Sequence, residues 1–562
     1  MKHTLSRGVI ALALGTALAG LATSCNKDLD QTPKYEPTPD RVYTDLAAYK
    51  SVLGKLYGGF ALTSLNGADG DSDIKGIDGG TGNYLRQLWS AQELTTDEAV
   101  IAWNDPGVQD WHNMNWDANN PLIRGLYNRA YYEISICNEL IRESSDDKLA
   151  SRLPAADVAE GKRFRAEARF LRAVSYMHVI DLFGGGPFVT EASEVGIAAP
   201  PYSTRQRLYD FVETELKALT TELAPARSNE FGRVDQAAAH ALLARLYLNA
   251  GVYTGTAQYA NAAAEAEKVI NSGYKLVEKA SPTSSAYGRN FLADNNNSPM
   301  GTAVDGSPLD AASNEIIWSV VLDATRTTTY GGTTFLVNGA TSGSVPGWQR
   351  YVGQSTGWGG MRATRTLFDK FFLLGADTTL DRRGRFWTAG QSLEISDQTQ
   401  FTQGLGVTKY RNVNSDGSTI VGSRNFSSVD FPMLRVADMM LIYAEAAARN
   451  AADRTTGLEY VNKVRRRAFG LDINTPSAVA DITDAQLTPD IILDERAREL
   501  HWEAQRRTDL IRHGKFTEST YLWPWKGNAV GGRGVEPFRA LFPLPTSDIT
   551  ANPNLVQNQG YN

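Results

Sequence analysis

The chain has 562 residues, 21% of them charged and 10% aromatic, with a formal net charge of −7. That length can bury a large core, or two, and the composition is that of a folded chain rather than a disordered one. A negative balance without a basic stripe excludes the electrostatic footprint of a nucleic-acid binder.

Residues 1–24 read as an export signal. Lys2 and Arg7 give it a charged start, and the small-residue apolar run 9–22 is too short to span a bilayer stably. The run ends in LATSC, which resembles a lipobox with Cys25 as the acylated mature N-terminus. More than one acyl chain there gives firm membrane anchoring. Residues 25–45 then form a polar, proline-containing tether with Pro33, Pro37 and Pro39.

A first amphipathic helix is expected over 46–60. The Gly/Asp loop 66–82 alternates Asp69, Asp71 and Asp73, as a calcium loop does. Counting from Asp69, however, puts Ile74 and Gly80 where glycine and glutamate are required, so no metal is assigned. The stretch 83–120 holds Trp89, Trp103, Trp111 and Trp116. Trp89, in YLRQLW, reads as core. Trp103 runs straight into Asn104, Asp105, Pro106 and Gly107, a turn composition, and is a candidate exposed ring.

Helical patterns follow at 123–142, 160–183, 204–223, 237–250 and 259–272, the second stopped by Gly184-Gly185-Gly186-Pro187. Cys137 lies in the first of them and reads as a buried free thiol. With Cys25 otherwise explained, no disulfide framework remains.

Residues 278–422 change character. Apolar runs become short and strand-like, as in 315–322, among many Gly, Ser, Thr and Asn. Tyr330, Trp348 and Trp358 are each flanked by glycine, which lets a ligand approach the backbone closely. Loops on a rigid scaffold are where binding is usually placed. Helical patterns resume at 437–449 and 458–468, and a charged helix is expected over 491–516. There Arg496, Arg498, Arg506 and Arg507 alternate with acids and are expected to clamp carboxylates and helix-end carbonyls.

The fold class is therefore mainly α. Helical hairpins of the tetratricopeptide kind form a scaffold over 46–277 and 423–516, and 278–422 is a loop-rich insert with short strands. One domain spans 46–562. No nucleophile elbow, phosphate loop, dinucleotide fingerprint or zinc motif occurs, so a binding protein without a cofactor is expected rather than an enzyme. Flat rings beside Asn, Asp and Arg match a neutral sugar: rings stack on C–H faces and polar side chains take hydroxyls.

Four separated stretches also carry a resemblance. LRVADMMLIYAEAAA at 434–448, YVNKVRRR at 460–467, the charged stretch 491–516 and LFPLPTSDITANPNLVQNQGY at 541–561 are similar to the SusD/RagB family. With the N-terminal features, the similarity covers nearly the whole chain. It implies a surface lipoprotein of the outer membrane that binds a glycan and delivers it to a SusC-like TonB-dependent transporter. The stretch 73–104 resembles the starch-binding member of that family. This implies a glycan site made of Asp78, Arg86, Trp103 and Asn104, then Tyr330 and Trp358, with Trp348 an alternative to Trp358. Rings set in an arc suit a curved chain, so a starch-like α-glucan is expected, with laminarin-type β-1,3-glucan the alternative.

Overall fold

A computed structural model describes residues 38–196, 199–345, 347–372, 380–420 and 425–561. Cys25 and the expected export signal over 1–24 lie outside the described residues. Helix boundaries follow the capping chemistry of the sequence. Asp45 opens α1 (Leu46–Gly59), and Asn83 opens α2 (Tyr84–Trp89). Asn120 followed by Pro121 opens α3 (Pro121–Glu143). α4 (Val158–Phe183) stops at Gly184, with φ +76°. Thr204 and Asp235 cap α5 (Arg205–Glu222) and α6 (Gln236–Leu248), and α7 (Tyr259–Ile270) follows. After the insert come α9 (Val436–Ala448) and α10 (Arg454–Phe469), the latter ended by left-handed Gly470. Within the insert lies α8 (Gly332–Gly339), fully buried, which the sequence pattern did not mark as helical.

These helices stack in series. α3 packs on α4, α4 on α5, α5 on α6, α6 on α7, α7 on α9, and α9 on α10. Small side chains allow the close approach: Ala238, Ala241, Ala262, Ala266, Ala444 and Ala447 are all buried. Cys137 is buried and free, and burial, with Glu133 beside it, pushes its thiol well above the ordinary range.

Strands are short and paired in twos. β1 (Ala99–Ile101) and β3 (Met361–Ala363) are antiparallel, with Ala99 opposite Ala363. β2 (Ile316–Val320) pairs with β6 (Phe431–Arg435), and β4 (Phe386–Trp387) with β5 (Gly406–Val407). The first pair stitches the insert to the segment carrying Trp103.

The expected helix over 491–516 is two helices, α11 (Pro489–Leu500) and α12 (Arg506–Arg512). Between them Trp502 and Ala504 adopt left-handed backbone, with φ +62° and +59°. Remote groups hold the break. Glu98 accepts from Trp502 N, Glu93 accepts from Gln505 N, and Lys409 donates to the His501 carbonyl. The expected clamps are present. Arg496 binds Asp438 and Asp509, Arg498 binds Glu495, and Arg506 binds Asp97, all at 2.6–2.8 Å and buried. Arg507 instead donates to the Ala540 carbonyl and lies 4.5 Å over the Phe542 ring.

Candidate functional site

Asn83 is fully buried, and its side chain does three jobs. Oδ1 accepts from Arg86 N at 3.0 Å and from Gly332 N at 3.2 Å, while Nδ2 donates to the Ala61 carbonyl. It thereby caps α2 and fixes the start of α8 against it. A Cβ on Gly331 would lie 2.2 Å from the Asn83 side chain, so only glycine fits there. With α2 and α8 locked, the Arg86 guanidinium sits 4.4 Å over the Phe335 ring and 5.6 Å from the Trp103 ring. Its Nη1 donates to the carbonyls of Gly80 and Tyr330 at 2.9 and 3.1 Å. Burial lowers its pKa to about 10, against the pull of Asp78 and Asp105, so it remains a cation at neutral pH.

The β1–β3 register brings Trp103 and Trp358 together. Ala102 N donates to the Gly360 carbonyl, and Trp103 Nε1 donates to the Trp358 carbonyl at 3.2 Å. Gly360 is needed for this approach, because a Cβ there would come within 2.6 Å of the Trp103 ring. The two ring centroids are 6.3 Å apart, tilted by 45°. Tyr330 follows, 6.0 Å from Trp358 at 67°. All three rings are half-buried, keeping part of their surface in solvent. The Tyr330 hydroxyl donates to Asp69 at 2.8 Å, which raises its pKa. Asp78 is exposed, and its Oδ1 accepts from Thr81 N and Oγ1. Asn104 is exposed beside Trp103.

Six of the seven residues expected from the sequence thus fall in one cluster: Asp78, Arg86, Trp103, Asn104, Tyr330 and Trp358. Trp348 does not. It is 0% exposed, sandwiched between Trp387 at 5.4 Å and Phe401 at 5.6 Å. Its glycine-flanked position looked like a loop tip, but the ring turns inward under the β4–β5 pair. The sequence reading missed Phe426, half-buried and 5.8 Å from Tyr330, which extends the row. Its Asn/Ser-rich surroundings resemble those of the other rings, but it lies past the expected end of the insert. Asp69 was weighed only as a calcium ligand and instead orients Tyr330. Asp73, its companion in that loop, pairs with Arg129 at 2.7 Å.

Helical hairpins carry a loop-borne row of rings, and the proteins this chain resembles are named for binding. A model of the SusD family matches residues 382–561, and a model described as "Starch-binding associating with outer membrane" matches 81–248. The starch-binding protein SusD of Bacteroides thetaiotaomicron is 31% identical, over 100% of both chains. SusD-like protein P2 of Formosa agariphila is 26% identical, covering 80% of this chain and 83% of that one. Among solved structures, a SusD homolog from Bacteroides thetaiotaomicron superposes with a TM-score of 0.67 at 19% identity, covering 92% and 98%. A laminarin-binding SusD-like protein gives 0.65 at 20% identity, covering 92% and 100%. The chain belongs to the SusD family, whose members it matches are named as binding proteins and not as enzymes.

Proposed function

We infer that this protein captures a neutral glycan on the Trp103–Trp358–Tyr330 row, and that a starch-like α-glucan is the favoured ligand. The observation that carries this reading is the row itself: three partly exposed rings in contact, edged by Asp78, Arg86 and Asn104. Sugar C–H faces stack on the rings, and hydroxyls meet the free oxygen of Asp78 and the Asn104 amide. The tilt of 45° and then 67° from ring to ring fits a curling chain better than a flat ribbon. The full-length relative named for starch supports the α-glucan. The laminarin-binding neighbour, at 20% identity, speaks for the fold alone.

Isothermal titration against maltooligosaccharides and laminarin oligosaccharides tests it. Each stacked ring contributes about 1–2 kcal/mol, so Trp103→Ala, Tyr330→Ala and Trp358→Ala should each weaken binding about five- to thirtyfold. Unchanged affinity in all three variants, for whichever glycan binds wild type, would sink the assignment.

The finer cellular role belongs to the same proposal. Acylation at Cys25 holds the protein on the outer-membrane surface, and a SusC-like TonB-dependent transporter takes the glycan from it. The LATSC sequence, the family membership and the outer-membrane wording of the matched family model support this. Purification from outer membranes in gentle detergent should yield a mature N-terminus acylated at Cys25 and a co-eluting transporter. An unmodified, solitary monomer would count against both.

A further inference from the structure

The residue that left the expected site points to a second one. Trp348 is buried because Trp387 lies parallel over it, at 5.4 Å and 11°. Trp387 itself is only half-buried, although one of its faces is covered. Tyr351, also half-buried, stands 5.9 Å from Trp387. Two arginines lie next to these rings in the chain, Arg350 before Tyr351 and Arg385 before Phe386–Trp387. Both are exposed, and among the described residues neither forms an ion pair, while Arg385 Nε donates to the Arg382 carbonyl at 3.2 Å. Arginines elsewhere in this fold are mostly tied to acids. Here Arg411 lies 4.9 Å over the Tyr351 ring, and Arg350 and Arg385 add exposed guanidinium donors at chain positions next to Tyr351 and Phe386.

This cluster is linked to that row through the interior, because the Trp348 ring between them is fully buried. Gly359 follows Trp358 directly, and a Cβ on it would sit 3.6 Å from the Phe401 ring. Phe401 is half-buried and stacks at 5.6 Å on Trp348, whose other neighbour is Trp387. Trp387 and the first row therefore flank one packed layer, with Phe401 and Trp348 between Gly359 and Trp387.

We propose that Trp387 and Tyr351, with Arg350 and Arg385, form a second glycan subsite that takes a distant stretch of the same neutral glucan chain bound at Trp103–Trp358–Tyr330. The proposal rests on the glycan reading of that first row. It makes the protein a reader of chain length. Short oligosaccharides occupy the first row alone, and long chains gain a second contact whose benefit comes through effective concentration.

Titration of the full chain with maltotriose and with soluble amylose tests this; laminaritriose and laminarin replace them if laminarin is the glycan bound. Trp387→Ala should weaken amylose binding about five- to thirtyfold and leave maltotriose binding unchanged. Trp387 also covers Trp348, so Arg350→Ala, at an exposed position without an ion pair, provides a variant that leaves the core intact. It should weaken amylose about three- to tenfold, again without touching maltotriose. Wild-type affinity for amylose in both variants overturns the subsite. Equal weakening toward both ligands overturns it too, because the contact would then belong to the first row. Trp103→Ala separates the two ideas: unchanged binding of both ligands in that variant means the first row, not only the second subsite, is wrong.

Discussion

Trp348 and Trp358 look alike in the sequence, each an indole set against glycine in a loop-rich insert. Their fates differ because of residues far along the chain. Trp358 meets Trp103 through the β1–β3 register, whereas Trp348 is covered by Trp387 and Phe401. No local pattern encodes that pairing. The difference predicts opposite phenotypes. Trp348→Ala removes a fully buried indole and should cost about 3–5 kcal/mol of stability. Trp358→Ala should barely change the melting temperature while weakening glycan binding. Thermal unfolding and titration of the same two proteins check this, and a stable Trp348→Ala protein with weakened binding of short oligosaccharides would return Trp348 to the first row. Trp103, Tyr330 and Trp358 were legible as candidate exposed rings because ring-plus-turn composition signals exposure, whereas Asp78, Arg86 and Asn104 came from the family resemblance. Asp69 and Phe426 were not, because their roles depend on Tyr330 being brought to them by the fold.

At the level of elements, the charged stretch 491–516 shows what a charge pattern reveals and what it hides. The alternation of acids and bases announced clamps, and Arg496, Arg498 and Arg506 are clamped. It hid the break at 501–505. Left-handed backbone is normally signalled by glycine or asparagine, and here tryptophan and alanine adopt it. The carboxylates that hold them come from Glu93 and Glu98, some four hundred residues earlier. Arg498 is a good probe of the clamp. It donates to Glu495 through two nitrogens and to the Lys370 carbonyl at 2.8 Å. Glu495 still faces Arg383 and Arg465 in the variant. Stranding a buried charge costs about 3–5 kcal/mol; because Glu495 keeps two arginines, Arg498→Ala should cost less than that while still lowering the melting temperature. Glycan affinity of the folded fraction should be unchanged, since the helix contributes nothing to the ring row. Loss of affinity with an unchanged melting temperature would instead place this helix in the binding site.

For the whole molecule, buried acids of two kinds set the pH dependence of stability in opposite directions. Burial alone would raise Glu499, but Arg467, Arg435 and Arg383 outweigh it and hold it at about 2. Asp438 is likewise buried, yet Arg245 and Arg496 bring it to about 2. These groups stabilise the fold above the ordinary carboxylate range, and that stability is lost as pH falls from about 4 toward 2. Three other acids go the other way, chiefly through burial: Glu93 rises to about 7, and Glu133 and Asp430 to about 8. Glu93 faces Glu98, also raised by burial and by Glu93 itself; neither Glu93 Oε2 nor Glu98 Oε1 has another hydrogen-bond partner among the described residues. For this second group the folded pKa lies above the unfolded one, so its stabilisation is complete below about 4.5 and declines as pH rises toward 7–8. At ~1.4 kcal/mol per pKa unit, several such groups amount to several kcal/mol. Burial lowers the pKa of His112, His178, His501 and His513, which opposes this decline below the ordinary histidine range, so the net fall in melting temperature should lie above about pH 6.5 and run to pH 8. Glu133→Gln and Asp430→Asn keep shape and an acceptor oxygen while removing the ionisation. The double variant should flatten that decline, and thermal unfolding across pH 3–9 measures it. A wild-type melting temperature that rises from pH 6.5 to 8 would mean that solvent or a cation reaches these carboxyls in the folded protein.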